Sequence, residues 1–343
     1  MCAARPQRQM SDADKTSTVR AGRVVTLPDP MFGQGLGELP PGMHVRWWDM
    51  TGPAADAEEI GVVVVPYMGT DDWTPLLAEL PSLRLVQTLT AGYDNIVPML
   101  PPGVALANAV GVHDTSTAEL AVGLTIAALR GFPGFIRAAS QGQWAHQVRP
   151  SLADRRVLVL GFGGVGRAIA SRLRPFDVKL TAVASRPRTE PPEMVARHGV
   201  RLVRGIEDLD LLLPESDVVI LTVPLTAATR GLVSAAFLRL LPDGALLVNV
   251  ARGPVVDTSA LLGELRSGRL MAALDVTDPE PLPPDHPLWT VEGVLISPHV
   301  GGASTAFAPR AVRFLREQIL RAASGRRPSG VVVPSEWTDS LSV

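Results

Sequence analysis

The stretch VLVLGFGGVGRAIASRL, residues 157–173, joins an aliphatic run, a glycine-rich turn and an amphipathic segment in that order. The run predicts a buried strand and the last segment predicts a helix. In the turn, Gly161 permits a tight bend, Gly163 lets a pyrophosphate approach the backbone, and Gly166 allows helix and strand to pack closely. The helix N-terminus offers N–H groups and a positive dipole end to phosphates. This order predicts the first βαβ unit of a dinucleotide-binding domain.

The composition narrows the class of protein. At about 150 residues per domain, a chain of 343 residues has room for two domains, and 46% hydrophobic residues suffice for packed cores. A net charge of −2 without long basic runs gives no support for binding nucleic acids or membrane surfaces. Cys2 is the single cysteine, so no disulfide can form within the chain. We expect a soluble cytoplasmic protein whose residues 1–20 form a disordered tail.

Apolar and polar stretches alternate along the chain in a way that predicts two α/β domains. Short strands from residue 23 to 100 predict a small, flavodoxin-like substrate domain. About six strands with intervening helices after residue 155 predict one doubly wound parallel sheet of Rossmann type. The last helical stretch is expected to pack back on the first domain. The predicted boundaries are 21–108 plus 300–343 for the substrate domain and 109–299 for the dinucleotide-binding domain.

The segment that joins the two domains is predicted to hold one long helix between irregular stretches. Residues 101–103 and 108–116 have the composition of a boundary loop, and the helix runs from about residue 115 to Leu129. The glycine and proline residues at 131–134 are expected to end it and to open a looser stretch. Trp144, which lies on this arm, is expected to pack in a core or an interface.

Three polar side chains follow predicted strands of the second domain: Arg252, Glu280 and His299. Ligands of open α/β sheets bind outside the carboxyl ends of strands, so these side chains are expected to converge. An arginine holds a carboxylate with two donors, a histidine exchanges a proton near neutral pH, and an adjacent carboxylate favours the imidazolium. Together they suit hydride reduction of a 2-oxo acid. Taken singly, each could be a helix-end charge, a solvated acid or a loop histidine.

Six motifs extend this pattern: HDTSTAELAVGL (113–124), GFGGVG (161–166), VPLTAATRGLV (223–233), LLVNVARGPVVD (246–257), AALDVTDPEPLPPDHPLW (272–289) and SPHVGGAS (297–304). On these motifs the chain resembles the D-isomer-specific 2-hydroxyacid dehydrogenase family. The resemblance implies that Arg252 binds the substrate, that His299 is the acid/base and that Glu280 pairs with it. It also implies that the backbone of two loops, Tyr67-Met68-Gly69 and Ala91-Gly92, holds the substrate carboxylate.

The same resemblance implies a wider cofactor site and an assembly. Asp275 is expected near the nicotinamide, and no metal is expected. The other cofactor-binding residues are expected in the glycine-rich turn and after the following strands: Gly161, Gly163, Gly164, Val165, Gly166, Ser185, Arg186, Val223, Pro224, Thr229, Val250 and Ala251. Because members of the family are commonly dimers joined through the nucleotide domain, we expect a homodimer.

The end of the second strand of this domain indicates which nicotinamide cofactor binds. An NAD site usually has an acid there, which accepts from the ribose 2′-OH and repels a 2′-phosphate. This chain has Ala184-Ser185-Arg186-Pro187-Arg188 instead, and guanidinium groups pair well with phosphate. The family's NADPH-using glyoxylate and hydroxypyruvate reductases are similar at this point. We therefore favour NADP(H) over NAD(H); the alternative is that Arg186 and Arg188 are solvated loop charges.

The function expected from these residues is reduction of a small 2-oxo acid, similar to glyoxylate or hydroxypyruvate, to a D-2-hydroxy acid. Two alternatives stay open. The same fold could oxidise formate or phosphite, although formate-type relatives have an amide where this chain has Glu280. A dinucleotide-sensing protein, similar to the corepressors that share the fold, could retain the same three polar residues.

Overall fold

The computed structural model describes residues 22–33, 35–69 and 71–341, so the tail predicted for residues 1–20 lies outside the described part. The strands are β1 (Val24–Leu27), β2 (His44–Trp47), β3 (Ile60–Val64), β4 (Leu85–Gln87), β5 (Ala105–Ala107), β6 (Arg156–Leu160), β7 (Lys179–Ala184), β8 (Arg188–Thr189), β9 (Leu202–Gly205), β10 (Val218–Leu221), β11 (Leu246–Asn249), β12 (Met271–Leu274), β13 (Val294–Ile296) and β14 (Val331–Val333). The helices are α1 (Thr74–Ala78), α2 (Asp114–Leu129), α3 (Phe132–Ser140), α4 (Gly164–Leu173), α5 (Pro192–His198), α6 (Leu209–Leu212), α7 (Ala235–Leu240), α8 (Thr258–Arg266), α9 (Phe307–Ala323) and α10 (Glu336–Asp339).

The chain forms two compact units. The smaller one comprises Met1–Leu89, Val97–Ala107 and Leu315–Val343, of which the described residues are discussed below, and the larger one comprises Thr90–Ile96 and Asn108–Phe314. The loop 90–96 thus groups with the larger unit. The domain boundaries derived from the sequence stay a prediction.

The larger unit is built on a sheet with the strand order β13-β12-β11-β10-β6-β7-β9-β8. Six of its eight strands, β9-β7-β6-β10-β11-β12, follow the 3-2-1-4-5-6 order of dinucleotide-binding domains. Neighbouring strands run parallel except β8, which is antiparallel to β9. The predicted doubly wound α/β sheet is therefore confirmed. Strand β8 was not predicted, because two residues are too few to give an alternating pattern.

The aliphatic strands of this sheet are buried on both faces, as their composition requires. In β6, Val157 and Val159 pack in one hydrophobic cluster with residues of α2 and α4. The alternate residues Leu158 and Leu160 pack in a second cluster with residues of α7 and α8. Because side chains alternate along a strand, one uninterrupted apolar run serves both layers of helices. The central strands are thus held in place from two sides, and their carboxyl ends are fixed.

The smaller unit contains a sheet with the strand order β14-β5-β4-β3-β1-β2. Its five parallel strands follow the 2-1-3-4-5 order of flavodoxin-like folds, which confirms the predicted architecture. Strand β14 pairs with β5 in the antiparallel direction. Neither of these two strands was predicted, and β5 consists of two alanines and a leucine, none of them β-branched, which give little strand signal.

The segment after α2 differs from its prediction. The looser stretch expected after residue 131 is wrong for Phe132–Ser140, which form α3, and is present only from residue 141 to the start of β6. Gly131 adopts a left-handed conformation with φ 72°, which breaks α2, and Pro133 then occupies the first turn of a new helix, where its missing N–H costs nothing. The side chain of Trp144 is 95% exposed, so the core alternative for it is wrong. The interface alternative stays a prediction.

Across the described ranges, no single helix has the length and apolar composition to cross a membrane. The bent pair α2 and α3, at an angle of 65°, meets both conditions only when its two helices are taken together.

Candidate active site

The glycine-rich turn after β6 has the geometry that its sequence predicts. Gly161 has φ 103°, and a Cβ there would lie 2.7 Å from the backbone carbon of Thr222. A Cβ on Gly166 would overlap the carbonyl oxygen of Gly161, so only glycine lets α4 lie this close to the strand. A Cβ on Gly163 would have no atom within 4 Å. The space in front of Gly163 is open, which fits the approach of a dinucleotide pyrophosphate to the start of α4.

These differences predict that alanine at Gly166 affects folding stability, whereas alanine at Gly163 affects dinucleotide binding. We expect Gly166→Ala to lower the free energy of unfolding by about 1–3 kcal/mol, because the new methyl group must push α4 away from the strand. We expect Gly163→Ala to change it by no more than about 0.5 kcal/mol but to weaken NADPH binding by about tenfold. Denaturant unfolding and isothermal titration separate the two effects. Equal loss of stability in both variants would contradict the distinction.

A cavity of about 160 Å³ lies in the larger unit beside this turn. It brings together five of the predicted cofactor-binding residues, Val165, Val223, Pro224, Val250 and Ala251, with part of the predicted substrate site, Ala91, Gly92 and Arg252. The rest of its lining comprises Tyr93, Asp94, Thr222 and Leu225. The predicted residues after β10 and β11 thus line one cavity together with the loop at Ala91 and Gly92, whose part in substrate binding stays a prediction.

Other predicted residues lie outside this lining. Thr229 donates to the carbonyl of Pro224 at 2.6 Å and so braces the turn that carries Pro224. Gly164 starts α4, and a Cβ there would overlap the carboxylate of Asp114. Ser185 and Arg186 are exposed just after β7. Tyr67, Met68 and Gly69 follow β3 in the smaller unit, and their part in substrate binding stays a prediction.

His299 and Glu280 form a pair in the larger unit. His299 Nδ1 lies 2.5 Å from Glu280 Oε1, and the side chains are 25% and 38% exposed. Burial raises the pKa of Glu280, but the hydrogen bond with His299 and the charges of His299 and Arg252 outweigh it, so this pKa lies below its ordinary value. Glu280 is therefore an anion at neutral pH. Because Nδ1 is engaged, Nε2 is the ring nitrogen that can serve a substrate.

Asp275 holds the loop that carries His299. Its carboxylate is buried and accepts from Ser297 Oγ at 2.7 Å and from the backbone N–H groups of Val300 and Gly301 at 2.9 Å each. Its carbonyl accepts from the N–H of His299 at 2.7 Å. His299 itself has φ 51°, a left-handed conformation that costs energy in a residue with a Cβ. In this structure Asp275 thus fixes the loop that carries His299, a role that the sequence did not indicate, and its place near a nicotinamide stays a prediction.

Arg252 is held from three sides. Its Nε donates to Asp94 Oδ1 at 3.1 Å, and its Nη1 donates to the carbonyl of Ala251 at 2.8 Å. A Cβ on Gly92 would overlap Nη2, so glycine is what lets the guanidinium lie against this loop. Asp94 was not predicted from the sequence, because a single acid in a loop is ordinarily a solvated charge. Its place two residues after Gly92, next to the expected substrate loop, was the available signal.

Comparisons with known proteins agree with this architecture. The sequence profile of the D-isomer specific 2-hydroxyacid dehydrogenase NAD binding domain matches residues 122–301. A glyoxylate reductase of Thermofilum pendens is 33% identical over 261 residues, which cover 74% of this chain and 75% of that protein.

Two solved structures are similar over nearly the whole chain. A D-isomer specific 2-hydroxyacid dehydrogenase of Xanthobacter autotrophicus Py2, in complex with NADPH and MES, superposes with a TM-score of 0.76 at 33% identity and covers 91% of this chain and 98% of its own. The NADPH-dependent glyoxylate/hydroxypyruvate reductase of Sinorhizobium meliloti, in complex with NADP and malonate, gives a TM-score of 0.73 at 25% identity, with coverages of 94% and 99%.

Proposed function

Because the chain belongs to the D-isomer-specific 2-hydroxyacid dehydrogenase family of NAD(P)-dependent oxidoreductases, we propose that it reduces a small 2-oxo acid with NADPH. The product is a D-2-hydroxy acid. Glyoxylate and hydroxypyruvate are the proposed substrates, because similar proteins are named as reductases of these acids. The observation that carries this proposal is the Glu280–His299 pair, which lies in the same unit as Arg252. The positive charge of Arg252 helps to lower the pKa of Glu280.

The chemistry follows from what each side chain can donate. Arg252 keeps Nη2 for the substrate, since its bonds to Asp94 and Ala251 use Nε and Nη1, and it pairs with the carboxylate or the carbonyl oxygen. When bound, the nicotinamide supplies the hydride that C2 of the 2-oxo acid receives. His299 gives its proton from Nε2 to the oxygen on C2, so the carbonyl becomes a hydroxyl. Glu280 stabilises the imidazolium before this transfer and keeps the ring oriented.

The preference for NADPH rests on the end of β7. Ser185 and Arg186 are exposed there, so a hydroxyl and a guanidinium stand where a carboxylate would reject a 2′-phosphate. The similar structures from Xanthobacter autotrophicus and Sinorhizobium meliloti hold NADPH and NADP, which supports the same choice here.

We also keep the homodimer as part of the proposal. The arm after α2 exposes apolar side chains: Ile136 is 69% exposed, and Trp144 and Val148 are each 95% exposed. Apolar side chains of this size on one arm are typical of a surface that a second subunit covers. A cytoplasmic location stays a prediction from the sequence.

The test is oxidation of NADPH by the purified protein with glyoxylate, hydroxypyruvate and longer 2-oxo acids, followed by absorbance. We expect turnover with the short acids and a rate lower by at least about 100-fold in a His299→Asn control. The product from hydroxypyruvate should be the D-isomer on chiral chromatography. A protein that binds NADPH tightly but turns over none of these acids would overturn the enzyme proposal and favour a dinucleotide sensor.

A further inference from the structure

A buried carboxylate holds two arginines beside the glycine-rich turn. The side chain of Glu190 is 1% exposed. Arg167 reaches both of its oxygens, with Nη2 2.9 Å from Oε1 and Nε 3.2 Å from Oε2. Arg188 donates from Nε to Oε1 at 2.7 Å, and His198 Nε2 lies 3.4 Å from Oε2. Glu190 is thus enclosed by three nitrogen-bearing side chains.

This cluster carries a net positive charge at neutral pH. The hydrogen bonds and charges of Arg167 and Arg188 outweigh burial and lower the pKa of Glu190 to about 2, so it is an anion. Burial lowers the pKa of His198 and outweighs the opposite effect of Glu190, so the ring is neutral. Its Nδ1 accepts from the N–H of Val200, which places the proton on Nε2. Two guanidiniums and one carboxylate leave one positive charge in excess.

Glu190 cannot act as the ribose-binding acid of an NAD site. It follows the second strand of the domain closely enough to invite that interpretation from the sequence. Its oxygens, however, are buried and already accept from Arg167 and Arg188, so the carboxylate is neither open to a ribose hydroxyl nor able to repel a phosphate strongly. The groups that solvent reaches are the two arginines, whose side chains are 34% and 35% exposed.

Both guanidiniums are fixed against Phe162, the second residue of the glycine-rich turn. Their central carbons lie 5.9 and 6.0 Å from the centre of its ring, and Arg188 Nη2 donates to the Phe162 carbonyl at 2.8 Å. The backbone of Arg188 is also pinned, because β8 pairs it with Val203 of β9. Arg188 is therefore no solvated loop charge: its guanidinium is held by Glu190 and Phe162, next to the turn where the pyrophosphate of a dinucleotide lies.

We propose that Arg188 and Arg167 form a seat for the 2′-phosphate of NADPH and that Glu190 is the positioning residue that holds both. This inference rests on the proposed use of NADPH and extends it from the exposed Arg186 to a prearranged pair. The pair costs little to order when a phosphate binds, because its geometry is already fixed by Glu190 and Phe162.

The test uses two adenine nucleotides that differ by the phosphate in question, 2′,5′-ADP and AMP. Isothermal titration of the full-length protein gives the ratio of their affinities without any turnover. We expect the wild type to bind 2′,5′-ADP at least about tenfold more tightly than AMP. In Glu190→Gln and Arg188→Met we expect this ratio to fall to within about threefold, with the affinity for AMP unchanged. Arg204→Met, which removes an exposed arginine paired with Asp208, is the matched control and should keep the wild-type ratio.

The possible results distinguish failure of this inference from failure of the proposed NADPH preference. A wild type that binds both nucleotides equally overturns the NADPH preference and the seat together. A wild-type preference that survives in both variants overturns the seat alone and leaves Arg186 to explain NADPH use. A ratio lost in Arg188→Met but kept in Glu190→Gln overturns the positioning role of Glu190. Because Arg188 is partly exposed, its variant keeps the test valid if the Glu190 variant unfolds.

Discussion

Replacing His299 with asparagine is expected to lower kcat for 2-oxo acid reduction by about 10²–10⁴-fold while leaving KM for NADPH nearly unchanged. Asparagine tolerates the left-handed backbone of this position, and its amide can still donate to Glu280, so the loop should keep its conformation. What it lacks is a group that can lose a proton to the oxygen on C2. Steady-state rates with glyoxylate, together with thermal unfolding of the variant, make the measurement.

The Glu280→Gln variant checks how this histidine is assisted. The pKa of Glu280 lies below its ordinary value, so the carboxylate keeps its charge at neutral pH and loses it only in more acidic solution than a free glutamic acid. Glutamine carries no charge to pair with the imidazolium, so we expect kcat for 2-oxo acid reduction to fall by about tenfold at neutral pH, with KM for NADPH nearly unchanged. Near-normal kcat in Glu280→Gln or in His299→Asn would remove this pair from the mechanism.

The parts of the fold that sequence reasoning anticipated are those with a strong local signal. The central strands β10 and β11 are largely aliphatic, and the strand at Lys179–Ala184 is mostly apolar, so all three could be predicted from the hydrophobic pattern of the sequence. Strands of two or three residues, such as β8 and β5, depend on neighbours that are distant in the chain. Their pairing is a property of the assembled sheet, which no short window contains.

The candidate site divides in the same way. Arg252, Glu280 and His299 stand in motifs, so their chemistry could be proposed from the sequence alone. The roles of Asp94 and Glu190 could not be proposed in this way, because a lone acid has no distinguishing pattern. Asp94 acts through Arg252, which is distant in the chain, and Glu190 acts through Arg188, whose side chain turns back toward it. Residues that position others are recognised by contacts, whereas residues that react are recognised by type and order.

Replacing Arg252 with lysine is expected to lower kcat/KM for a 2-oxo acid by about 10²–10⁴-fold, mostly through a higher KM. Lysine keeps the positive charge but has no planar fork, so it cannot bond to Asp94 and Ala251 and still present a second donor to the substrate. Rates measured over a range of glyoxylate concentrations at saturating NADPH separate KM from kcat. Arg266→Lys, at an exposed position in the last turn of α8, is the matched control and should behave as the wild type.

Two further variants test whether the position of this guanidinium matters as much as its charge. Asp94→Asn keeps the size of the side chain but removes the charge that orients Nε, so we expect KM for the 2-oxo acid to rise by about tenfold with KM for NADPH unchanged. Gly92→Ala places a methyl group where Nη2 now lies and should displace the guanidinium with a larger effect. If Arg252→Lys raises KM by no more than about twofold, charge alone suffices, and the fork held by Asp94 and Gly92 is not the substrate anchor.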